Sequence, residues 1–121
     1  MLAFVVSLMM TSFDPSVLTV PIVHAEEIDR KEVWIEALHQ CENPKDVEKV
    51  LDTNDKYSYG YVMFQMDTWL SFGKKHGATR NNIGDNDLQR IVVRDMLSKG
   101  LWKHWYTCGK KVISKLGDFP L

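Results

Sequence analysis

Residues 52–69 read DTNDKYSYGYVMFQMDTW. Acids, amides and aromatics crowd into one turn-like segment, which then runs into an apolar one. Three readings compete: a calcium loop, a saccharide groove, or a polar turn on a small helical domain. The calcium reading fails on its own terms. Asp52 and Asn54 suit the first and third positions of an EF-hand loop. Lys56 then puts a cation where an oxygen ligand is needed, Tyr57 replaces the turn glycine, and Met63 replaces the bidentate Glu. No metal site is expected here. The alternation of Tyr57, Tyr59 and Tyr61 cannot share one face of a helix. It suits one side of an extended segment, a surface on which sugar rings stack.

Upstream, Asp29 followed by Glu32 suits a capping box. Trp34, Ala37, Leu38 and Cys41 then share a helical stripe, predicting a helix over 30–41 with Glu42 at its C-terminal end. Asn43-Pro44 reads as an N-cap and first helical position, with Val47, Val50 and Leu51 as the stripe of a second, two-turn helix. DTNDKYSYG reads as a turn or short hairpin. Helical spacing resumes over 61–75 and ends at His76-Gly77. Asp85 or Asn86 caps a further helix carrying Leu88, Ile91, Val92 and Met96, which Gly100 stops. LWKHWYTC predicts a short helical piece that brings Cys108 back; residues 109–121 read as a weakly ordered tail, with VISKL as a short element. The expected fold is mainly α, a small helical domain with one short β-like loop.

The 121 residues are 45% hydrophobic and 26% charged, which suits one domain with one core. A formal net charge of −1 gives no polyelectrolyte character, so nucleic acid is not an expected partner. Residues 1–25 differ from the rest: they are apolar, carry no Lys or Arg, and end Val23-His24-Ala25. They read as a secretory signal segment cleaved after Ala25, and Asp14-Pro15 break the run before it is long enough to span a bilayer. The expected location is secreted or cell-wall, with no stable membrane insertion after cleavage. Cys41 and Cys108 lack the spacing of zinc or thioredoxin motifs, and in an exported protein they suggest one disulfide joining the two ends of the domain. Closing a loop of that length adds roughly 4 kcal/mol on the chain-entropy argument. Lys99, Lys103, Lys110, Lys111 and Lys115 crowd the C-terminal part with no acid between them, a solvated face or an attraction to an anionic polymer.

His24, His39, His76 and His104 have no metal-ligand spacing, and no serine-hydrolase, phosphate-loop or dinucleotide motif occurs. Glu42 has two readings. A helix-end Glu is ordinarily a solvated charge; held beside a buried disulfide and facing an aromatic groove, its carboxyl would have a raised pKa and act as a general acid.

Three segments carry a family resemblance: WIEALHQCEN (34–43), YGYVMFQMDTW (59–69) and HWYTCG (104–109). In this order they resemble the resuscitation-promoting-factor type of lysozyme-like domain, and are similar to soluble lytic transglycosylase domains. The likeness covers about residues 30–109, so the expected domain is 26–109, with 110–121 as tail. It implies Glu42 as catalytic acid, Cys41 and Cys108 as the family's disulfide, and Tyr59, Gly60, Phe64, Thr68 and Trp69 as groove segment. Asp52, Ser58, Tyr59, Met63, Gln65 and Thr68 become the candidate substrate contacts. The implied substrate is the β-1,4 bond between N-acetylmuramic acid and N-acetylglucosamine in peptidoglycan strands, cut by a monomer that needs no cofactor. Two departures stand out: Asn43 replaces the Ser after Glu, and Met63 replaces a sugar-contacting Gln, with Gln65 two residues on. Animal-type lysozymes place a second acid directly before Tyr-Gly, where this chain has Ser58; Asp52 and Asp55 lie earlier in the loop. The single-carboxylate route is therefore favoured, in which Glu42 acts as acid and then base and the product is a 1,6-anhydro sugar. The alternative is a non-catalytic secreted module that binds glycan or inhibits.

Overall fold

The computed structural model describes residues 28–121, so the expected signal segment lies outside the described residues. Asp29 opens helix α1 (Arg30–Glu42), its carboxylate accepting from the Lys31 and Glu32 amides at 3.0 and 3.4 Å. Glu32 does not complete the capping box; its carboxylate pairs with Arg94 instead. Trp34, Ile35, Leu38 and His39 form the buried stripe of α1.

The second helix expected after Asn43 is absent. Asn43 is the C-cap of α1, and its side chain is buried. Its amide donates to the Val47 and Gly60 carbonyls at 2.9 and 2.8 Å, and its oxygen accepts from the Val47 N–H at 2.9 Å. An Asn satisfied this way stabilises the loop against a restarted helix. The chain continues as strand β1 (Lys49–Leu51), antiparallel to β2 (Tyr57–Tyr59) in the register Lys49–Tyr59, Val50–Ser58, Leu51–Tyr57. A short apolar run such as Val-Glu-Lys-Val-Leu fits either period, and here strand pairing decides it.

The helix expected over 61–75 also starts late. Gly60 and Met63 both take left-handed backbone, at φ 74° and 57°. The chain therefore turns back as β3 (Phe64–Gln65), pairing Ser58 with Gln65 and Tyr59 with Phe64, before α2 begins (Met66–Gly73). The turn draws its hydrogen bonds from a distant residue. Gln89, fully buried, donates to the Tyr59 and Ile83 carbonyls at 2.7 and 2.6 Å and accepts from the Val62 N–H at 3.0 Å. A Cβ on Gly60 would lie 2.5 Å from the Gln89 amide nitrogen, so that position requires glycine on both counts.

A 3₁₀ turn at Lys74–His76 ends at Gly77 in left-handed conformation, and Asp85 caps α3 (Asn86–Ser98) through the Leu88 N–H at 3.1 Å. A 3₁₀ turn at Trp102–Trp105 leads into α4 (Tyr106–Leu116). The weakly ordered tail is thus corrected to an eleven-residue helix whose Val112 is buried. Gly109 does not end structure: its ideal Cβ would sit 2.9 Å from the Trp102 ring, so its small size lets α4 close on that indole. Beyond α4 the Trp34 indole donates to the Gly117 carbonyl at 2.9 Å, and Phe119 meets Trp34 edge-on at 5.6 Å.

The result is mainly helical, with a three-stranded sheet in the order β1-β2-β3 at one side. Trp34, Leu38, Phe64, Trp69, Val92, Met96 and Trp105 fill the core. Complete burial of such side chains contributes roughly 1.5–3 kcal/mol each. The buried indoles are also satisfied: Trp69 donates to the Thr79 carbonyl at 2.9 Å and Trp105 to the Val62 carbonyl at 2.7 Å. Among the described residues no helix is long and apolar enough to cross a membrane.

Candidate active site

Four segments meet around a cleft of about 540 Å³. The end of α1 supplies Glu42, the β1–β2 hairpin supplies Asp52 and Ser58, and the turn into α2 supplies Met63, Phe64, Gln65 and Thr68. Lys103, His104, Tyr106 and Thr107 form the facing wall. The Cys41–Cys108 disulfide, with its Cα atoms 5.7 Å apart, ties the helix end that carries Glu42 to the first turn of α4. It therefore fixes one wall against the other.

Glu42 and Asp52 are shifted in opposite directions. Burial pushes the Glu42 carboxyl up to about 7, and the nearby Asp52 charge adds to the rise. Asp52 goes the other way. It accepts from the Thr53 N–H at 2.9 Å, the Ser58 hydroxyl at 2.9 Å and the Gln65 amide at 3.4 Å. These bonds, the backbone one foremost, hold it below the usual carboxylate range against a smaller opposing effect of burial. Near neutral pH Glu42 still holds its proton in about half of the molecules while Asp52 is ionised, the division of labour an acid–base pair needs.

The buried Ser58 hydroxyl donates to Asp52, an acid six residues earlier, and helps hold that carboxylate in the cleft lining. A second layer holds Asp52's neighbours. Gln65 and Asn54 exchange reciprocal amide bonds of 3.1 Å, and Lys56 bridges to Asp67 at 2.8 Å. Both contacts pin the tip of the hairpin to the start of α2.

Of the residues expected at the site, Glu42, Asp52, Ser58, Met63, Gln65 and Thr68 all line the cleft. Tyr59 does not; it is half-buried against the core. Asp55 is exposed at the hairpin tip in left-handed backbone, also away from the cleft. Tyr61 leaves the tyrosine row altogether. It stacks on the buried His39 ring at 3.9 Å, and His39 Nδ1 lies 2.7 Å from the Tyr61 carbonyl oxygen. That histidine is a packing element.

Sequence reasoning missed the wall formed by Lys103, His104, Tyr106 and Thr107. The signal was present: once Cys41 pairs with Cys108, residues just before Cys108 must face whatever adjoins Glu42. Among the described residues no three His, Cys, Asp or Glu side chains cluster as a metal site. The chain matches no family model, no curated protein and no solved structure.

Proposed function

We propose that the protein is a peptidoglycan glycosidase of lysozyme-like fold, with Glu42 as the proton donor. The observation that carries this reading is the pairing in one cleft of a carboxyl raised to about 7 with an ionised, hydrogen-bonded one. The Glu42 proton goes to the glycosidic oxygen as the bond from that oxygen to the anomeric carbon breaks. The positive charge left on the sugar is stabilised by the Asp52 carboxylate. The Glu42 carboxylate then takes a proton from water as the water oxygen bonds to the anomeric carbon, giving a reducing end. Asp52 in the cleft supports this two-carboxylate route over the single-carboxylate one. In the latter the substrate's own 6-hydroxyl closes on the anomeric carbon and an anhydro end results. Extracytoplasmic action fits a disulfide-bonded domain, because such bonds persist in oxidising compartments.

A second reading has one observation in its favour. Met63 presents a thioether to the cleft where the resembled family has a sugar-contacting amide, which suits glycan binding without cleavage.

Mass spectrometry of soluble products from purified peptidoglycan decides among these. Wild-type protein is expected to release fragments with reducing N-acetylmuramic acid ends, and Glu42→Gln none. Anhydro ends that survive Asp52→Asn would restore the single-carboxylate route. Sedimentation with the wall but no soluble product would favour the binding module.

A further inference from the structure

The wall opposite the carboxylates has a composition that proton transfer does not explain. From residue 101 to residue 116 the chain carries four lysines and no acid. Elsewhere among the described residues Lys56 pairs with Asp67, and both Lys75 and Lys99 with Asp95, while Lys31, Lys45, Lys49 and Lys74 are spread over the chain without a salt bridge. Among the described residues, Lys103, Lys110, Lys111 and Lys115 form no salt bridge.

Two of them are positioned by aromatic rings instead. The Lys103 ammonium lies 6.0 Å from the centre of the Trp102 ring, and that of Lys110 lies 5.1 Å from the Tyr106 ring. Trp102 and Tyr106 stack on each other at 5.9 Å and 15°. The outcome is a row, Lys103–Trp102–Tyr106–Lys110, that begins in the cleft lining and runs out along α4. Tyr106 is 55% exposed, so an aromatic face remains open between the two charges. A ring orders an ammonium without neutralising it, so both charges stay available to a ligand. No side chain caps the α4 N-terminus, whose first residues Tyr106 and Thr107 also line the cleft, and its partial positive charge adds to the same wall.

We propose that this row is a binding surface for anionic substituents of the glycan strand, with Lys103 and Lys110 as its cations and Tyr106 as the stacking face. The assignment rests on reading the cleft as a glycan site. It adds a specificity that the acid pair alone cannot supply. A chain of N-acetylglucosamine and a peptidoglycan strand present the same glycosidic oxygen to Glu42. Only the second carries carboxylates, on its stem peptides or, where a peptide has been removed, on the lactyl ether of muramic acid. With Asp52 ionised on the facing wall, an anionic strand is attracted to one side and repelled from the other. Its charged substituents therefore lie along α4.

The test measures binding first, with Glu42→Gln protein so that strands stay intact. The ligands are whole peptidoglycan, peptide-free glycan strands that retain the lactyl carboxylate, and a neutral N-acetylglucosamine hexamer. Lys103→Gln with Lys110→Gln is expected to lower the charged-to-neutral affinity ratio roughly tenfold, about two modest ion pairs' worth. Lys→Arg at both positions restores the ratio. Added salt drives the parent ratio towards one. A fall on peptidoglycan alone assigns the stem-peptide carboxylates, a fall on peptide-free strands alone assigns the lactyl group, and a fall on both shows that the row takes either anion. An unchanged ratio in a variant that melts at the parent temperature overturns the proposal. Wild-type cleavage with a charge-independent ratio sinks this inference alone. Charge-dependent binding without cleavage sinks only the assignment as a glycosidase.

Discussion

The two walls of the cleft are held by different forces. Around Glu42 and Asp52 the side chains are fixed by hydrogen bonds: Ser58, Gln65 and the Thr53 amide on Asp52, with Asn43 and Gln89 beneath them on the turn at Gly60. Along α4 the side chains are fixed by packing, with the Trp102–Tyr106 stack under the lysines and the Trp105 indole anchored on Val62. Directional bonds set positions and protonation states to within a fraction of an ångström, as chemistry at one atom requires. Stacked rings under flexible cations set a field of one sign and leave the contact adaptable. On the proposed glycosidase reading, the first wall makes and breaks the bond, and the second chooses and orients what is brought to it. Changes on the first should therefore appear mainly in kcat, and changes on the second in KM and in salt dependence.

The sharpest way to break this contrast is at Glu42. Glu42→Gln is expected to lower kcat by about a thousandfold, within the range for loss of a general acid. It is also expected to stabilise the fold at higher pH. The folded carboxyl titrates at about 7 against 4.5 in the unfolded chain, so the folded state holds its proton longer. Wild-type stability then falls as pH rises from about 4.5 to about 7, and Gln removes that loss. The gain above pH 7 is on the order of 2 kcal/mol, discounted because the carboxyl is only partly buried. Denaturant titrations at pH 4 and pH 8 check it; equal gaps at both would mean that Glu42 is solvated and no acid. Asp52→Asn is expected to cost roughly a hundredfold in kcat by loss of electrostatic stabilisation. It also removes the charge that helps raise Glu42. The alkaline limb of the pH–rate profile should then move below about 7 while staying above 4.5, because burial persists. A limb that does not move would separate the two carboxyls functionally.

Legibility in the sequence followed the range of the interactions involved. The caps at Asp29 and Asp85 and the stop at Gly77 are local and stand as read, and the stripe of α1 holds at Trp34 and Leu38, with Ile35 and His39 buried beside them and Ala37 and Cys41 only partly buried. The failures share a cause at a distance. The helix expected after Asn43 is lost to bonds from Asn43 to Gly60, and the helix expected from Tyr61 is delayed by Gln89, about thirty residues away. Neither partner is visible in a window of a dozen residues. The tail expected over residues 109–121 is instead helix to Leu116, because Gly109 lets α4 close on the Trp102 ring, a packing partner that the local sequence does not show. At the candidate site, the place of Glu42 at a helix end beside Cys41 was readable, and the structure puts it in the cleft lining. The bond from Ser58 to Asp52 was not readable, since it forms only when the hairpin closes one onto the other.

Gln89 lies under the first wall without touching the cleft. Gln89→Leu keeps similar volume and leaves the Tyr59 and Ile83 carbonyls and the Val62 N–H without their side-chain partner. A loss of roughly 2–4 kcal/mol is expected by chemical denaturation, the order for several buried polar groups left unsatisfied. If the walls are independently held, the variant loses kcat with the Gly60 turn but keeps the salt dependence of binding that belongs to α4. Loss of both together would mean that the cleft is one rigid unit.

The smallest expected effect lies on the cleft floor at Met63. Met63→Gln is close to isosteric, and its amide faces the open cleft rather than the core, so stability should change by less than about 0.5 kcal/mol. The left-handed backbone there is held by the turn whichever side chain it carries. What changes is the ligand side. A new amide within reach of a sugar adds about one net hydrogen bond, roughly a threefold to tenfold fall in KM. Because it is uncharged, the gain should be the same on neutral and on charged strands and insensitive to salt. That signature differs from any change along Lys103–Lys110. A gain confined to charged strands would show that the strand reaches residue 63 only when α4 has already engaged its substituents, making the two walls sequential rather than independent.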